Sequence, residues 1–327
     1  MPRLQSASGE KKSGPWSRCQ AVGGILLLGI LIYGIAGMPQ AVTNTTTWKV
    51  FATIQAAIDD ANTLDGDTLQ AAAGTYNAEL AWPINVNKSL TLRSAAGAAT
   101  TIIDPGANGR GAIEISAANA TLDGFTLKGG TRAYSATNPM EHVIWVHANY
   151  STIKNNTIIG YDGNAADIYI GGRNDPGTES PAIYSYNVST PLGHTIQNNN
   201  FRYAQSGEGW GIFAYDLSDS LIKGNQFVGD ADDVNDWVVP GAPSTEGAPG
   251  TGIIIHKATT GSSVIIEDNT ARYIKYTWLT FYAAYHYVDA VGYGYEQPEA
   301  STVDKVVVRN NTVDNCGTAV NFARATK

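Results

Sequence analysis

The sequence predicts an all-β protein built as a stack of repeating coils. One phrase recurs along the chain: Asn stands three positions after an aliphatic residue, and an apolar residue stands two positions further on. Only 15% of the 327 residues are charged, whereas Gly, Asn and Thr are plentiful, which is typical of turn-rich β structure. Hydrophobic residues make up 43% of the chain, enough for a large core.

The repeated unit is clearest in the segment Thr251 to Ile274. A strand from Gly252 to His256 is followed by a Gly/Ser corner, a second strand from Val264 to Glu267, a turn at Asn269 and a third short strand. A single coil cannot bury its inward face, whereas coils stacked about 4.8 Å apart can. We therefore expect the repeated Asn residues to stack at one corner, to accept a left-handed backbone there and to hydrogen-bond along the column.

Five matches to the phrase fall in one register. A further coil, with Leu122, Phe125 and Leu127, has the same spacing without the Asn. The five matches are Ile153–Asn156–Ile158, Ile196–Asn199–Phe201, Ile222–Asn225–Phe227, Ile266–Asn269–Ala271 and Val308–Asn311–Val313.

The N-terminal 40 residues are predicted to direct export. A polar, basic stretch over residues 1–20 precedes an uncharged, mostly apolar run over residues 21–38, an order typical of export signals. The length of the run lies between that of a signal peptide and a short membrane span, so both a cleaved signal and an uncleaved anchor stay open. In either case the rest of the chain is expected outside the membrane, extracellular or at the cell surface, with membrane contact only through residues 21–38.

The domain itself is predicted to begin with a short helix after a linker over residues 41–52. The segment Thr53 to Asn62 has apolar residues on one helical face, and Thr53 can cap it. Strands are expected at Thr68 to Ala72, Ile84 to Val86 and Ser89 to Arg93, with a turn at residues 74–76. The coils then occupy the chain to residue 327, so that the predicted domain is 53–327.

This opening helix and strand pair (TIQAAID, GDTLQAAAGTY and KSLTLRS), followed by the Asn-containing coils, resembles the right-handed parallel β-helix, or pectin-lyase-like, superfamily. The resemblance implies a right-handed parallel β-helix with an N-terminal helical cap. The superfamily includes polysaccharide lyases and hydrolases as well as tailspikes and adhesins. The paired Asp residues and Gly-His-Gly of polygalacturonases are not matched: Asp232 and Asp233 fall in a loop, and Asp59 and Asp60 fall on the helix. No enzyme subfamily is therefore assigned.

The predicted fold sorts the residues of each first strand into inward and outward sides. The inward pairs are Ile113/Ile115, Ile144/Val146, Ile183/Ser185, Ile212/Ala214, Ile253/Ile255, Leu279/Phe281 and Val320/Phe322. One outward column then contains Glu114, Trp145, Tyr184, Phe213, Ile254 and Thr280. The other contains Ser116, His147, Tyr186, Tyr215, His256 and Tyr282.

These aromatic and His side chains predict a polysaccharide-binding face, since sugars stack on aromatic rings while Tyr and His supply polar contacts. Long insertions at Gly160 to Pro181, Gly229 to Gly250 and Tyr282 to Ser301 would wall the face. The alternative is that loops or another protomer cover it as an apolar interface. The predicted substrate-binding residues are Trp145, Tyr184, Tyr186, Phe213, Tyr282 and Trp237.

If the face is catalytic, an eliminative polysaccharide lyase is favoured over a glycoside hydrolase. His147, Tyr215 and His256 are the candidate acid and base residues. The cations that would neutralise an acidic sugar are Lys223, Lys257, Arg202 and Arg272. A hydrolase needs two facing carboxylates, and Glu114 stands alone on its column.

The remaining signals concern metal, glycans and partners. The loop residues Asp230, Asp232, Asp233 and Asp236 offer carboxylates for Ca²⁺, without the spacing of a known calcium loop. The net charge of −8 excludes a basic nucleic-acid surface. The glycosylation motif Asn-x-Ser/Thr occurs at Asn44, Asn87, Asn119, Asn149, Asn155, Asn187 and Asn310.

The last predicted strand, Thr318 to Ala323, precedes Lys327 without a capping segment, so we expect either that the chain is a fragment of a longer protein or that another subunit covers this open coil end by self-association. A second function class follows from these features. In it, the chain is a non-catalytic, glycosylated surface or fibre subunit whose aromatic face and coil end make protein contacts.

Overall fold

The computed structural model describes residues 41–106, 111–129, 142–160, 166–170, 192–203, 210–229, 251–257, 263–282 and 306–323. All of them belong to the compact unit Gln40–Lys327. The predicted signal or anchor segment, residues 1–40, lies outside the described residues. Within the part of the chain that the structure does describe, no helix combines the length and the apolar character that crossing a membrane requires.

The described strands form three sheets, to which successive coils contribute one strand each. The first sheet contains, along the chain, β5 (Ile84–Val86), β8 (Ile113–Ile115), β11 (Ile144–Val146), β14 (Ala166–Ile170), β17 (Trp210–Asp216), β20 (Thr251–Lys257), β23 (Thr277–Tyr282) and β26 (Thr318–Ala323). The second sheet contains β1 (Val42–Asn44), β2 (Val50–Phe51), β3 (Thr68–Ala71), β6 (Thr91–Ser94), β9 (Thr121–Asp123), β12 (Thr152–Lys154), β15 (Thr195–Gln197), β18 (Ser220–Lys223), β21 (Val264–Glu267) and β24 (Val306–Arg309). The third sheet contains β4 (Gly74–Tyr76), β7 (Thr101–Ile103), β10 (Thr126–Lys128), β13 (Thr157–Gly160), β16 (Asn200–Tyr203), β19 (Gln226–Val228), β22 (Thr270–Arg272) and β25 (Thr312–Asp314).

From β3 onward the described strands pair in parallel with the equivalent strands of the neighbouring coils. The same holds along the first and third sheets. The chain is therefore a parallel β-helix, and the predicted fold class is confirmed. The alternation of side chains along each strand places one set in a shared core, in which Ile113, Ile144, Ile212 and Ile253 are all buried.

One predicted coil is aligned differently. The sequence assigns the position after Ile144 to the pair Ile183 and Ser185, which lies outside the described residues. Ile168 of β14 takes that position, since it pairs with Ile144 on one side and with Ile212 on the other. The short strand lies inside the segment that the sequence predicts as a loop from Gly160, and its Ile-Tyr-Ile pattern has the same alternation as the neighbouring coils.

The column of asparagines that the sequence predicts is present, and its first four members are buried within the stack while the last, Asn311, is half-buried. Each of the first four side-chain nitrogens donates to the side-chain oxygen of the asparagine in the next coil, and all five donate to a backbone carbonyl of the preceding coil. The four links between side chains measure 2.9–3.1 Å from nitrogen to oxygen. The column, which we call the asparagine ladder, consists of Asn156, Asn199, Asn225, Asn269 and Asn311.

The left-handed backbone that the sequence predicts for the ladder residues belongs instead to the residue before each of them. These preceding residues, together with Gly124, which precedes Phe125 in the coil without the asparagine, have φ between 54° and 82°. Gly, Asn and Asp tolerate such angles better than most residues. In the ladder coils, one residue turns the chain, and the next residue points its side-chain amide inward. The turning residues are Gly124, Asn155, Asn198, Gly224, Asp268 and Asn310.

The outward side of the second sheet carries a row of charged residues in register. Its best-connected member is Glu267, whose two carboxylate oxygens lie 2.7 Å from Nζ of Lys223 and 2.6 Å from Nη2 of Arg309. These hydrogen bonds hold the pKa of Glu267 below its ordinary value. This row joins three successive coils by ionic contacts.

Strands and a short helix close the N-terminal end of the coils. Residues 41–52, predicted as a linker, contain β1 and β2, and β1 pairs antiparallel with β3. The helix α1 (Ile54–Asp59) follows, and Oγ1 of Thr53 accepts from the backbone N–H of Ala56, as the predicted cap requires. Residues 74–76, predicted as a turn, form β4.

Candidate functional site

The candidate site is the outward side of the first sheet, where neighbouring strands bring side chains into a row. We call this the outward row. The predicted members lie in it, except that Tyr169 takes the place assigned to Tyr184. Its members are Asn85, Glu114, Trp145, Tyr169, Phe213, Ile254, Thr280 and Asn321.

The aromatic members of the outward row contact one another in sequence. The ring centroids of Trp145 and Tyr169 are 6.4 Å apart in an edge-on arrangement, and those of Tyr169 and Phe213 are 5.6 Å apart and stacked. His142 stacks on Tyr169 at 4.2 Å, and Trp210 packs on Phe213 at 5.0 Å. Such pairs stabilise a sheet beyond the area they bury. The rings are thus engaged with each other along the row.

A carboxylate and an imidazole meet at the N-terminal end of the row. Nε2 of His147 lies 2.9 Å from Oε1 of Glu114, although the contact is poorly aligned for a hydrogen bond. The ring of Trp145 lies 4.0 Å from that of His147. The indole nitrogen of Trp145 and Nδ1 of His147 are both buried, and neither has a hydrogen-bond partner among the described residues. This cluster, Glu114–Trp145–His147, has the polar groups that acid–base chemistry or sugar binding uses.

Much of the outward row is nevertheless buried within the chain. The exposed fraction is 9% for Trp145, 4% for Ile254 and 3% for Thr280. A polymer that stacks on aromatic rings needs those rings to face solvent. The burial therefore favours the alternative in which this side of the sheet is covered.

The predicted catalytic residues are distributed over several coils. His147 follows β11, whereas Tyr215 lies on β17 and His256 on β20. The register places Tyr215 and His256 on neighbouring strands, between the pairs Ala214–Ile255 and Asp216–Lys257. Strands in a sheet are about 4.8 Å apart, so the backbone of His147 is about 10 Å from that of Tyr215 and about 14 Å from that of His256. The backbones of His147 and His256 are therefore separated by three strand spacings.

Three of the predicted cations lie away from this side. Lys223 lies on β18 in the second sheet, where Glu267 and Asp268 hold it. Arg202 on β16 and Arg272 on β22 belong to the third sheet. They cannot neutralise a carboxylate bound on the first sheet. Lys257 lies on β20, in the first sheet.

Several predicted site residues lie outside the described part of the structure. Tyr184, Tyr186 and Trp237 are among them, as is the acidic loop with Asp230, Asp232, Asp233 and Asp236. Tyr282 ends β23, next to Ala323 of β26 in the register. Among the described residues, no group of three or more His, Cys, Asp or Glu side chains is placed to hold a metal ion. The Ca²⁺ site remains a prediction.

Sequence reasoning missed Tyr169, Trp210 and His142. Tyr169 carries a recognisable signal, because it stands between Ile168 and Ile170 as Trp145 stands between Ile144 and Val146. Trp210 and His142 each stand two residues before an inward isoleucine, Ile212 and Ile144, so alternation would assign them to the inward side. Their ring contacts appear only in three dimensions.

Comparison with known proteins adds one relative. A cell surface glycoprotein of Methanothermus fervidus is 36% identical to this chain over 138 residues. The match covers 42% of this chain and 21% of that protein, so the chain spans about a fifth of the length of the relative. No protein-family model matches the chain.

Proposed function

We propose that this chain is a non-catalytic structural component of the cell surface, in which the β-helix serves as a rigid spacer. The observation that carries the proposal is the burial of the outward row at Trp145, Ile254 and Thr280. This row is where a polysaccharide enzyme of this architecture would have to admit its substrate. The separation of His147 from His256 by three strand spacings supports the same conclusion.

The distribution of polar chemistry supports a structural role as well. Two groups of well-connected polar side chains among the described residues hold coils together: the asparagine ladder at one corner and the Lys223–Glu267–Arg309 contacts on the second sheet. Repeat proteins depend on such contacts between neighbouring coils for their stability. The partial match to a cell surface glycoprotein supports the proposed location.

Two measurements test the proposal. On intact cells, a membrane-impermeant amine reagent should label the chain, whose Lys49 and Lys128 side chains are 48% and 40% exposed. Incubation of the purified protein with alginate, pectin and glycosaminoglycans should give no ultraviolet absorbance from unsaturated uronate ends. Absorbance that grows with time and is lost in His147→Ala or His256→Ala would establish a lyase and overturn the proposal.

A second candidate function, polysaccharide binding without cleavage, is favoured by one observation. Within the described ranges, the buried indole nitrogen of Trp145 and Nδ1 of His147 lack hydrogen-bond partners beside the carboxylate of Glu114, and sugar hydroxyls would satisfy both nitrogens. Calorimetric titration with uronate oligosaccharides tests this function. Trp145→Phe keeps an aromatic side chain but removes the indole N–H donor. Loss of the binding heat in this variant would support binding at this cluster. No heat with the unaltered protein would exclude it for these sugars.

A further inference from the structure

Three of the glycosylation motifs fall in the same connection of three successive coils, at positions that differ by one or two residues. Asn87, Asn119 and Asn149 all lie in the connection from the first sheet to the second sheet, which we call the first corner. The register that aligns Thr91 with Thr121, and Thr121 with Thr152, puts these connections above one another. The backbone N–H of Asn119 donates to the carbonyl of Asn149 at 3.1 Å. With coils about 4.8 Å apart, the three asparagines span about 10 Å.

All three asparagines are exposed. The side chain of Asn149 is held in one orientation, since its Oδ1 accepts from the backbone N–H of Leu192 at 3.0 Å. The side-chain oxygen of Asn149 therefore faces the next coil, and its side-chain nitrogen points away from that contact. In the described part of the chain, the amides of Asn87 and Asn119 make no hydrogen bond that a glycan would break.

Asn44 has the same sequence motif in the opposite environment. Its side chain is 0% exposed. Its nitrogen donates to Oγ1 of Thr63 at 3.1 Å and to Oδ2 of Asp67 at 2.8 Å, while its oxygen accepts from the backbone N–H groups of Thr46 and Thr47. A sugar on this nitrogen would remove a buried hydrogen bond and has no space, so the folded domain excludes it.

We propose that Asn87, Asn119 and Asn149 carry N-linked glycans and form a line of sugars along the first corner, whereas Asn44 is unmodified. This inference rests on the proposed function, because the modification requires export to the compartment where the transferase acts. Asn155 and Asn310 lie at a different corner, one residue before ladder positions, and do not belong to this line.

The modification is a group transfer from a lipid-linked oligosaccharide donor. The side-chain nitrogen of asparagine forms a bond to the anomeric carbon of the first sugar. The bond from that carbon to the donor phosphate breaks, and the lipid phosphate or diphosphate leaves with its electron pair. The amide gives up one proton to the surrounding base or solvent. The chain supplies the acceptor, and the transferase and donor come from the cell.

The resulting sugars would border the outward row. His147 stands two residues before Asn149, and Ser116 stands three residues before Asn119. Glycans at the first corner therefore flank the edge of the first sheet at the coils that carry Glu114 and Trp145. They would limit access of large partners to that edge while leaving the charged residues on the outward side of the second sheet uncovered.

The test is glycopeptide mass spectrometry on the full-length protein purified from its own cells. Glycan on at least two of Asn87, Asn119 and Asn149, with unmodified Asn44, supports the proposal. Glycan on Asn44, or unmodified asparagine at two or more of the three positions, overturns it. Surface labelling of the same cells separates the two inferences: labelled protein without these glycans removes only the glycan line, while unlabelled protein removes the proposed function itself.

Two variants confirm the assignment independently of the mass measurement. Asn119→Gln and Thr121→Ala destroy the same motif by replacing its first and its third residue. Each variant should lack one glycan and should therefore migrate faster in electrophoresis. Asn44→Gln is the matched control and should leave the glycan mass unchanged. Unchanged mobility in both first-corner variants would contradict modification at Asn119.

Discussion

Asn225 lies at the centre of the asparagine ladder, so its replacement should weaken the stack more than any exposed amide can. Its Nδ2 donates to the carbonyl of Ile196 at 2.9 Å and to Oδ1 of Asn269 at 3.0 Å. Its Oδ1 accepts from the backbone N–H of Asn199 at 2.9 Å and from the side-chain nitrogen of Asn199 at 3.0 Å. The side chain is 0% exposed.

The substitution Asn225→Ala removes these four hydrogen bonds without admitting solvent. Two buried backbone groups, the N–H of Asn199 and the carbonyl of Ile196, lose their side-chain partner. An unsatisfied buried polar group costs about 1–3 kcal/mol, so the loss in the free energy of unfolding should be about 2–6 kcal/mol. The whole stability of a domain is about 5–15 kcal/mol. The variant is therefore expected to be severely destabilised.

The matched control is Gln226→Ala, which removes an exposed amide at the next position and should change stability by less than about 0.5 kcal/mol. Urea unfolding of both variants measures the difference. Because repeat proteins can unfold in parts, hydrogen exchange at the backbone N–H of Asn199 provides a local measurement and should accelerate in Asn225→Ala. Equal stability of the two variants, with unchanged exchange at Asn199, would refute the structural role of the ladder.

Three further predictions concern charge and packing. The pKa of Glu267 is lowered by its hydrogen bonds to Lys223 and Arg309, so its contribution to stability is present above the ordinary pKa of 4.5 and is lost as the pH falls through the folded-state pKa. Glu267→Gln should therefore lower the melting temperature at neutral pH and not in acid. An equal decrease at the two pH values would contradict the ionic role of Glu267. Burial raises the pKa of Asp167 well above its ordinary value of 3.8, so stability should decline as the pH rises from 3.8 toward the folded-state pKa. Asp167→Asn should abolish that decline in melting curves recorded across this range, and an unchanged profile would argue against it. In Gly211→Ala, the new Cβ would lie 2.6 Å from a backbone oxygen of the neighbouring strand, so urea unfolding should show a loss of about 1–3 kcal/mol, and an unchanged midpoint would show that the coils can separate there.

Much of the fold could be predicted because each coil repeats the same physical requirement. The spacing from Ile222 to Asn225 to Phe227 is one aliphatic inward residue, one corner amide and one inward residue on the next strand. Repetition of that spacing in register is enough to indicate stacking. The backbone angles could not be assigned in the same way, because Asn and Gly occur both at the turning position and elsewhere. Only the geometry shows that Gly224 turns the chain while Asn225 points inward.

The site was harder to predict, because a pattern of alternation gives the direction of a side chain and not its surroundings. The sequence places Trp145 and Ile254 on the outward side, and the register confirms it. Their burial depends on residues remote in sequence, for which alternation carries no signal. The difference between a groove and a covered face therefore lies outside what strand periodicity can predict.

The coil without an asparagine shows which way the ladder acts. Phe125 occupies the ladder position of its coil, and its backbone N–H donates to Oδ1 of Asn156 at 2.9 Å. Asn156 in turn donates to the carbonyl of Leu122 in the same preceding coil. Each ladder asparagine therefore satisfies backbone groups of the coil before it, and the backbone N–H groups of Asn156, Asn199, Asn225 and Asn269 are in turn satisfied by the coil after them. Phe125 receives an acceptor from the next coil in the same way but has no side-chain amide to offer to the coil before it, so the ladder begins at Asn156.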